Sequence, residues 1–359
     1  MYNMYNESQF KNNLVKWFEK NQRQMPWRET KNPYYIWLSE VMLQQTQVKT
    51  VIDYYHKFVN RFPTITDLSN AHEDEVLKYW EGLGYYSRAR NFHTAIKDVA
   101  INYNGEVPND PERFGELKGV GPYTQAAVMS IAFNLPLATV DGNVFRVWSR
   151  LNNDHRDTKL QTTRKAFEKE LEIYVQEDSG TFNQAMMELG ALICTPKNAL
   201  CMFCPVQEHC EAFEQGTVEQ LPVKTTKVKK KHIKQNVYIM SNEKGDLLIE
   251  KRTQKLLNNM WEFPMYEAES NENINTQLST EIQFQTKPVY SLKHQFTHLT
   301  WDIDVYLSQN YVRQQDITLT DNMVWMPIND KDEYNFPVSM SKIYNFLLKI
   351  GRASCRERV

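Results

Sequence analysis

The chain has 359 residues, with 42 lysines and arginines against 44 aspartates and glutamates, and a formal net charge of -2 at pH 7. This length predicts two or three domains. A charge so close to zero excludes strong general attraction to nucleic acid, so any such binding must use local patches. No apolar run approaches the roughly 20 residues that span a membrane, and the polar N-terminus has no secretory signal. We therefore expect a cytoplasmic protein.

The first part of the chain has the pattern of a helical domain. Apolar residues recur at helical spacing, as in Phe10, Leu14 and Phe18. Proline and glycine, for example in Phe62-Pro63, predict where helices end. The predicted helices cover approximately 34–47, 88–103, 122–133, 143–151, 160–175 and 181–193. We therefore expect a helical region over residues 1–223.

The pattern changes near residue 225. Six lysines lie among the eleven residues from Lys224 to Lys234, without apolar periodicity, which indicates a basic interdomain linker over 224–235. Residues 236–350 are expected to form an α+β domain, whereas 351–359 have no apolar pattern and are interpreted as a non-native tail. The predicted elements of that domain are strands at Asn236–Ser241, Asp246–Glu250, Lys287–Leu292 and Leu299–Leu307, and a helix at 338–349.

Four cysteines lie within seventeen positions: Cys194, Cys201, Cys204 and Cys210. Clustered thiols are typical of metal binding rather than of a dispersed disulfide framework. Four thiolates on one short loop can close a zinc site or hold an iron–sulfur cluster, and their spacing alone does not decide between the two. Four buried structural cysteines are the alternative. Lys197, between the first two, could contact a DNA phosphate or be an ordinary solvated lysine.

Two glycines, Gly119 and Gly121, precede an apolar helix, and Asp141 follows about twenty residues later. Free N–H groups at a helix N-terminus suit a phosphate oxygen. A turn that lets two helices meet closely is the alternative. A phosphate-binding turn beside a carboxylate indicates chemistry on nucleic acid.

Glu40 is a second candidate acid. It lies on an otherwise apolar turn, beside Leu38 and Leu43, and a run of uncharged amides follows it. Desolvation there would raise the carboxyl pKa so that it holds a proton near neutrality, although a helix-face glutamate can also be simply solvated. Two carboxyl groups with separate roles are typical of glycosidic cleavage. Glu40 and Asp141 together therefore favour that chemistry.

Several motifs in order resemble the adenine DNA glycosylases of the MutY type, which are helix-hairpin-helix enzymes of the endonuclease III-like superfamily. The matching stretches are Met25–Arg28, Ser39–Gln47, Gly82–Arg90, Leu117–Thr124, Val140–Val144 and the four cysteines. The resemblance implies six-helix-barrel and iron–sulfur modules, a hairpin at about 112–133, and a loop over 194–210 that holds a [4Fe–4S] cluster. It also implies a bacterial, nucleoid-associated monomer that flips adenine out of duplex DNA and excises it opposite 8-oxoguanine or guanine.

The resemblance also implies roles for individual residues. Glu40 protonates adenine N7 and Asp141 stabilises an oxocarbenium-like sugar, while Tyr123 and Asn143 orient the two carboxyl groups. Gln45 and Tyr85 would insert into the base stack, and Thr46 and Leu83 would approach 8-oxoguanine. The other implied contacts are Trp27, Arg28, Gln44 and Gln184 with adenine, and Gly119, Val120, Gly121, Arg88 and Arg90 with the DNA backbone.

The residue at position 123 distinguishes a monofunctional glycosylase from a bifunctional glycosylase and lyase. Bifunctional relatives carry a lysine at this point of the hairpin and form a Schiff base with it, which a tyrosine cannot do. We therefore predict a monofunctional glycosylase. The alternatives are an endonuclease III-like glycosylase and lyase, and a non-catalytic protein that binds DNA damage.

The second domain resembles a Nudix fold. Trp261-Glu262-Phe263-Pro264 matches a Nudix strand, but residues 265–285 lack the acid-rich Nudix box, so pyrophosphatase activity is not expected. The resemblance implies a module that recognises 8-oxoguanine through Phe296, Thr297 and His298. The family more usually has serine at the Thr297 position, and the extra methyl group restricts χ1. A loop that packs on its own domain is the alternative for Phe296.

Overall fold

The computed structural model describes residues 4–225, 231–270, 274–278, 281–296 and 299–356. It divides into two compact units, Met1–Val76 with Ser87–Lys227 and Leu77–Tyr86 with Val228–Val359. Residues 77–86, which the sequence places within the helical region, therefore group with the second unit. None of the helices in the described part of the chain is long and apolar enough to cross a membrane.

The first unit is helical. Its helices are α1 (Met4–Asn21), α2 (Pro33–Leu43), α3 (Val48–Arg61), α4 (Ile65–Asn70), α5 (Glu73–Tyr79, whose last residues belong to the second unit), α6 (Ser87–Asn102), α7 (Pro111–Gly115), α8 (Pro122–Phe133), α9 (Gly142–Leu151), α10 (Gln161–Leu171), α11 (Ser179–Leu192) and α12 (Glu211–Glu214). Helices α7 and α8 form the predicted hairpin. Leu14, Phe145 and Phe182 are buried in one apolar core, which joins α1, α9 and α11.

Helix α2 is buried on nearly all sides, because every residue from Ile36 to Met42 is buried. It ends at Leu43 and not at 47 as predicted. Arg88 explains the difference: its Nη1 donates to the carbonyls of Val41 and Met42 at 2.9 Å and of Gln44 at 2.5 Å. These bonds satisfy carbonyls that have no partner at a helix C-terminus. Arg88 is itself buried, so the prediction that it contacts DNA phosphate is wrong.

The second unit combines two sheets with helices. Its elements are β1 (Lys231–Ile239), β2 (Leu247–Lys251), β3 (Trp261–Glu262), β4 (Met265–Glu267), α13 (Ile274–Leu278), β5 (Tyr290–Gln295), β6 (Leu299–Leu307), β7 (Met323–Met326) and α14 (Val338–Arg356). One sheet has the order β4-β1-β6-β5 and the other β3-β2-β7. Strand β1 runs parallel to β6 along its whole length, and Phe263, Phe336 and Met340 help to form the core beneath.

The predicted basic linker is partly a strand. Strand β1 begins at Lys231, which pairs with Leu299 of β6, so the C-terminal part of the 224–235 stretch lies in a sheet. The side chains of Lys231, His232 and Lys234 are exposed, Ile233 is half-buried, and the first fully buried apolar side chain is Val237. The paired strand therefore begins before Asn236, where the apolar pattern had predicted its start.

Candidate active site

A cavity of about 880 Å³ lies in the first unit and gathers most of the predicted catalytic and substrate-binding residues. The predicted residues that line it are Trp27, Arg28, Glu40, Gln44, Gln45, Thr46, Gly119, Gly121, Tyr123, Asp141, Asn143 and Gln184. They come from five separate parts of the chain, so the cavity exists only in the folded protein.

Glu40 is a buried acid of this cavity. Its residue is 5% exposed, and Tyr123 donates its hydroxyl to Glu40 Oε2 at 2.6 Å. Burial raises the pKa of Glu40 to about 7, and Asp141 acts in the same direction, whereas the Tyr123 hydrogen bond and Arg28 oppose the rise. A carboxyl with this pKa can donate a proton near neutrality and later accept one.

Asp141 is held by the helix that it starts. As the N-cap of α9 it accepts from the Val144 N–H at 2.7 Å, and Asn143 Nδ2 donates to its other oxygen at 2.9 Å. An acidic N-cap is favoured because the first N–H groups of a helix have no intrahelical partner. Burial nevertheless raises the pKa of Asp141, against the hydrogen bonds from the Val144 backbone and from the backbone and side chain of Asn143, and against the charge of Arg146.

Two cavity residues, Arg23 and Glu188, were not predicted from the sequence. Glu188 of α11 is 1% exposed and binds Arg23 Nη2 at 2.7 Å and Arg28 Nη2 at 3.1 Å. Burial alone would raise the pKa of Glu188, but the hydrogen bonds from Arg23 and Arg28 lower it to about 2. A lone acid on the otherwise apolar face of 182–192 was the available hint. The cavity thus contains two carboxyl groups whose pKa values are raised by burial, Glu40 and Asp141, and one, Glu188, that is held ionised.

The two hairpin glycines, Gly119 and Gly121, differ in whether a larger residue could replace them. Gly119 has φ +82°, and a Cβ there would lie 2.7 Å from Asn91 Cβ, so both conformation and space favour glycine. Gly121 is the N-cap of α8, and a Cβ on it would meet nothing within 4 Å. The Val120 N–H donates to the Leu117 carbonyl at 3.1 Å. The proposed phosphate contact therefore depends on the amides of Gly119 and Gly121.

Both residues predicted to insert into the base stack have left-handed backbones. Gln45, in the first unit, has φ 59°, and Tyr85, in the second, has φ 48°. Residues other than glycine seldom adopt this region, and such strain concentrates at functional sites. Gln45 is exposed and Tyr85 is 43% exposed, whereas Leu83 is buried.

The predicted loop of the second unit is only partly described. Phe296 is half-buried and packs edge-on against Trp301, with ring centroids 4.8 Å apart. Thr297 and His298 lie outside the described residues.

The four cysteines line one cavity of the first unit with apolar neighbours such as Val147 and Leu151. In the described ranges, no three His, Cys, Asp or Glu side chains are close enough to share one metal ion. Arg150, which is 1% exposed, donates to Cys194 Sγ at 3.4 Å. Burial raises the pKa of Cys204 to about 12.

Arg146 connects the cysteine loop to the cavity. Its Nε donates to the Cys194 carbonyl at 2.7 Å, and its Nη2 donates to Asn143 Oδ1 at 2.9 Å and to the Gly190 carbonyl at 2.6 Å. Asn143 in turn donates to Asp141. A continuous set of hydrogen bonds therefore joins a cysteine backbone to the second carboxyl group.

This fold and cavity define a DNA repair protein with two parts. Residues 38–172 match the HhH-GPD superfamily base excision DNA repair proteins, and residues 236–345 match the NUDIX domain. A thermostable thymine-DNA glycosylase has a similar structure, with a TM-score of 0.55 and 29% identity, over 59% of this chain and 98% of that one. A trapped endonuclease III–DNA intermediate, at 23% identity and a TM-score of 0.51, shares the fold over 60% of this chain and 99% of its own.

The family follows from a relative that covers nearly the whole chain. The adenine DNA glycosylase of Buchnera aphidicola subsp. Baizongia pistaciae is 32% identical over 360 residues, which cover 95% of this chain and 97% of that protein. The rat adenine DNA glycosylase is 41% identical over 226 residues, 59% of this chain and 44% of its own length. The chain belongs to the adenine DNA glycosylase family.

Proposed function

We propose that this protein is a monofunctional glycosylase that removes adenine paired with 8-oxoguanine, or with guanine, from double-stranded DNA. The observation that carries the proposal is the pairing of Glu40, buried with a pKa raised to about 7, with Asp141 in the same cavity. The names of the relatives support adenine as the base.

The proposed reaction begins when Glu40 donates its proton to N7 of the flipped adenine. The bond between C1′ and N9 then breaks, its electron pair leaves with the neutral base, and an oxocarbenium-like sugar remains. Asp141 stabilises this cation, and Asn143 orients its carboxylate. Water adds at C1′ and returns a proton to Glu40. Trp27, Arg28 and Gln184 line the cavity where the base would lie.

The residue types that line the cavity around Glu40 support excision of the base without cleavage of the DNA strand. A lyase needs an amine that can form a Schiff base with the sugar. Tyr123 occupies the hairpin position, and no lysine is among the described residues that line the cavity. Borohydride should therefore trap no covalent DNA adduct, and a trapped adduct would favour the endonuclease III-like alternative.

Recognition of the lesion is proposed for both units. In the first, Gln45 and Thr46 line the mouth of the cavity, and in the second, Tyr85 exposes its ring. Thr297 and His298 would supply polar contacts beside Phe296. Single-turnover assays on duplexes with A:8-oxoguanine, A:G and A:T pairs test this assignment. We expect fast, slower and no release of adenine respectively, and binding of A:8-oxoguanine without release would leave only a damage-binding role.

We also propose that Cys194, Cys201, Cys204 and Cys210 hold a [4Fe–4S] cluster. The four thiols line one apolar cavity, and the resemblance to the endonuclease III-like enzymes supports a four-iron cluster over a single zinc ion. When bound, the cluster would be fully ligated by protein and would fix the loop rather than contact substrate. Iron and acid-labile sulfide analysis of the purified protein tests this proposal, and stoichiometric zinc without iron would contradict it.

Replacing Tyr123 with phenylalanine should move the pH dependence of the reaction. The hydroxyl bond to Glu40 favours the ionised carboxylate, so its loss should raise the pKa of Glu40 further. The alkaline limb of the single-turnover rate profile should shift to higher pH, with a lower maximal rate because Glu40 is less well oriented. Tyr34→Phe, which removes a buried hydroxyl bonded to the Phe62 carbonyl, is the control. An alkaline limb at lower pH would contradict this role.

Gly190 sets the distance between α11 and the start of α9. A Cβ at this position would lie 2.6 Å from Asn143 Cβ and 3.2 Å from Asn143 Cα, which is too close. We expect Gly190→Ala to displace Asn143 from Asp141, reduce the rate about tenfold or more, and destabilise the protein by about 1–3 kcal/mol. Gly142→Ala is a matched control, because its Cβ meets nothing within 4 Å. Equal rates for the two variants would exclude this spacing role.

A further inference from the structure

Residues 77–86 form a tight turn that belongs to the second unit, although the chain on both sides of it belongs to the first. Trp80, which is fully buried, donates its ring Nε1 to the Gly84 carbonyl at 3.1 Å, and its own carbonyl accepts from the Leu83 N–H at 3.1 Å. Tyr85 follows directly, with φ 48° and an exposed ring. The position of this ring therefore depends on how the turn is held.

One carboxylate connects the turn to the rest of the second unit. Glu81 Oε1 accepts from Lys331 Nζ at 2.9 Å and from Ser341 Oγ at 3.1 Å. Lys331 begins a short 3-10 helix, and Ser341 lies in the first turn of α14, so the two donors come from separate elements. The side chains of Glu81 and Lys331 are 28% and 17% exposed, so solvent screens this pair less than a fully exposed one.

We infer that Lys331 and Ser341 are positioning residues for Tyr85. Through Glu81 they fix the turn that carries this ring to the part of the second unit that carries Phe296. The inference rests on the part of the proposed function in which Tyr85 inserts into the base stack and Phe296 lies in the loop that recognises 8-oxoguanine. Contacts with the lesion would then also hold Tyr85 in its inserted position, because a preorganised group loses less freedom on binding.

Loss of the Lys331 charge should therefore reduce the discrimination between 8-oxoguanine and guanine. A duplex without the lesion makes no lesion contacts that could hold Tyr85. We expect Lys331→Met to weaken binding of an A:8-oxoguanine duplex about five- to tenfold and of an A:G duplex about twofold or less. Glu81→Gln should have the same effects, since it disrupts the same pair without removing a positive charge. Lys349→Met, on an exposed part of α14, controls for the lost charge and should leave both affinities unchanged.

Equilibrium binding of the full chain to the two duplexes measures these effects. The adenine nucleotide carries a 2′-fluorine, which disfavours an oxocarbenium-like sugar and keeps the base attached during the measurement. Each variant is also compared in a Tyr85→Ala background. Lys331 acts through Tyr85 in this inference, so Lys331→Met should cause no further loss of affinity there. Glu81→Gln preserves the test if Lys331→Met fails to fold.

Three results would overturn the inference: unchanged affinities in both variants, equal weakening on the two duplexes, or a further loss in the Tyr85→Ala background. Adenine release from an unmodified A:8-oxoguanine duplex is measured separately. A protein that releases no adenine but shows the Lys331-dependent difference in binding would contradict the proposed reaction and support the positioning role. Adenine release by the parent, with discrimination unchanged in both variants, would contradict the positioning role alone.

Discussion

Replacing Glu40 with glutamine is expected to lower the single-turnover rate of adenine release by about a thousandfold. Glutamine keeps the size and one acceptor of the side chain but cannot protonate N7, and general acid catalysis contributes about 10²–10⁴ in rate. Glu40 is a buried acid of the cavity, and burial raises its pKa to about 7. The rate is measured with excess enzyme on an A:8-oxoguanine duplex.

The same assignment predicts how the rate of the unaltered enzyme depends on pH. The active form of Glu40 is protonated, so the rate should fall by about tenfold for each pH unit above about 7. Glu40→Gln should lose this alkaline limb, and Glu19→Gln, on an exposed part of α1, should retain both rate and profile. Release at the parental rate by Glu40→Gln would contradict the assignment.

Glu40 should also reduce the stability of the fold. Its pKa is raised from 4.5 to about 7, so the unfolded chain releases this proton first as the pH rises. The folded state therefore loses about 3 kcal/mol between pH 4.5 and 7 and does not regain it at higher pH. Denaturant unfolding should show Glu40→Gln to be more stable than the parent at pH 8 and nearly equal to it at pH 4.

Replacing Asp141 with asparagine is expected to reduce the rate by about 10²–10³ without loss of stability. Removal of a preorganised charge from a developing cation has an effect of this order. Asparagine is as good an N-cap as aspartate, so the α9 N-terminus and its bond to the Val144 N–H should persist. The measurements are the single-turnover rate and the free energy of unfolding.

A matched control exists for this substitution. Asp110 is the N-cap of α7 and accepts from the Arg113 N–H, so Asp110→Asn makes the same chemical change at a helix start that does not line the cavity. It should leave the rate unchanged. If Asp141→Asn lost several kcal/mol of stability, its lower rate would report misfolding instead of lost cation stabilisation.

The sequence predicted several residues of the site because each one stands out from its immediate neighbours in the chain. Asp141 precedes an apolar helix and becomes its N-cap, and Gly121-Pro122 starts the helix before it. Glu40 stands out as one acid in an apolar helix that is buried on nearly all sides. The family resemblance then supplied the roles, which remain proposals for individual residues.

Contacts between distant residues were not predictable in the same way. Arg88 looks like a surface cation in sequence, yet it is buried against the end of α2, more than forty positions away. Glu188 looks like an ordinary helix acid, yet it binds Arg23 and Arg28 from a loop 160 or more residues earlier. A guanidinium group can donate hydrogen bonds either to the free carbonyls at a helix end or to a phosphate. The residue type alone therefore does not predict which of the two an arginine contacts.

The sequence by itself determined the two-part architecture, the cysteine loop and the family, because periodicity and motif order are properties of the chain. Only the tertiary structure decided where α2 ends, which carboxyl groups are desolvated, and how Arg146 joins Asn143 to the Cys194 carbonyl. The physical reason is that pKa values and hydrogen-bond partners depend on burial and on neighbours from distant segments, which exist only after packing.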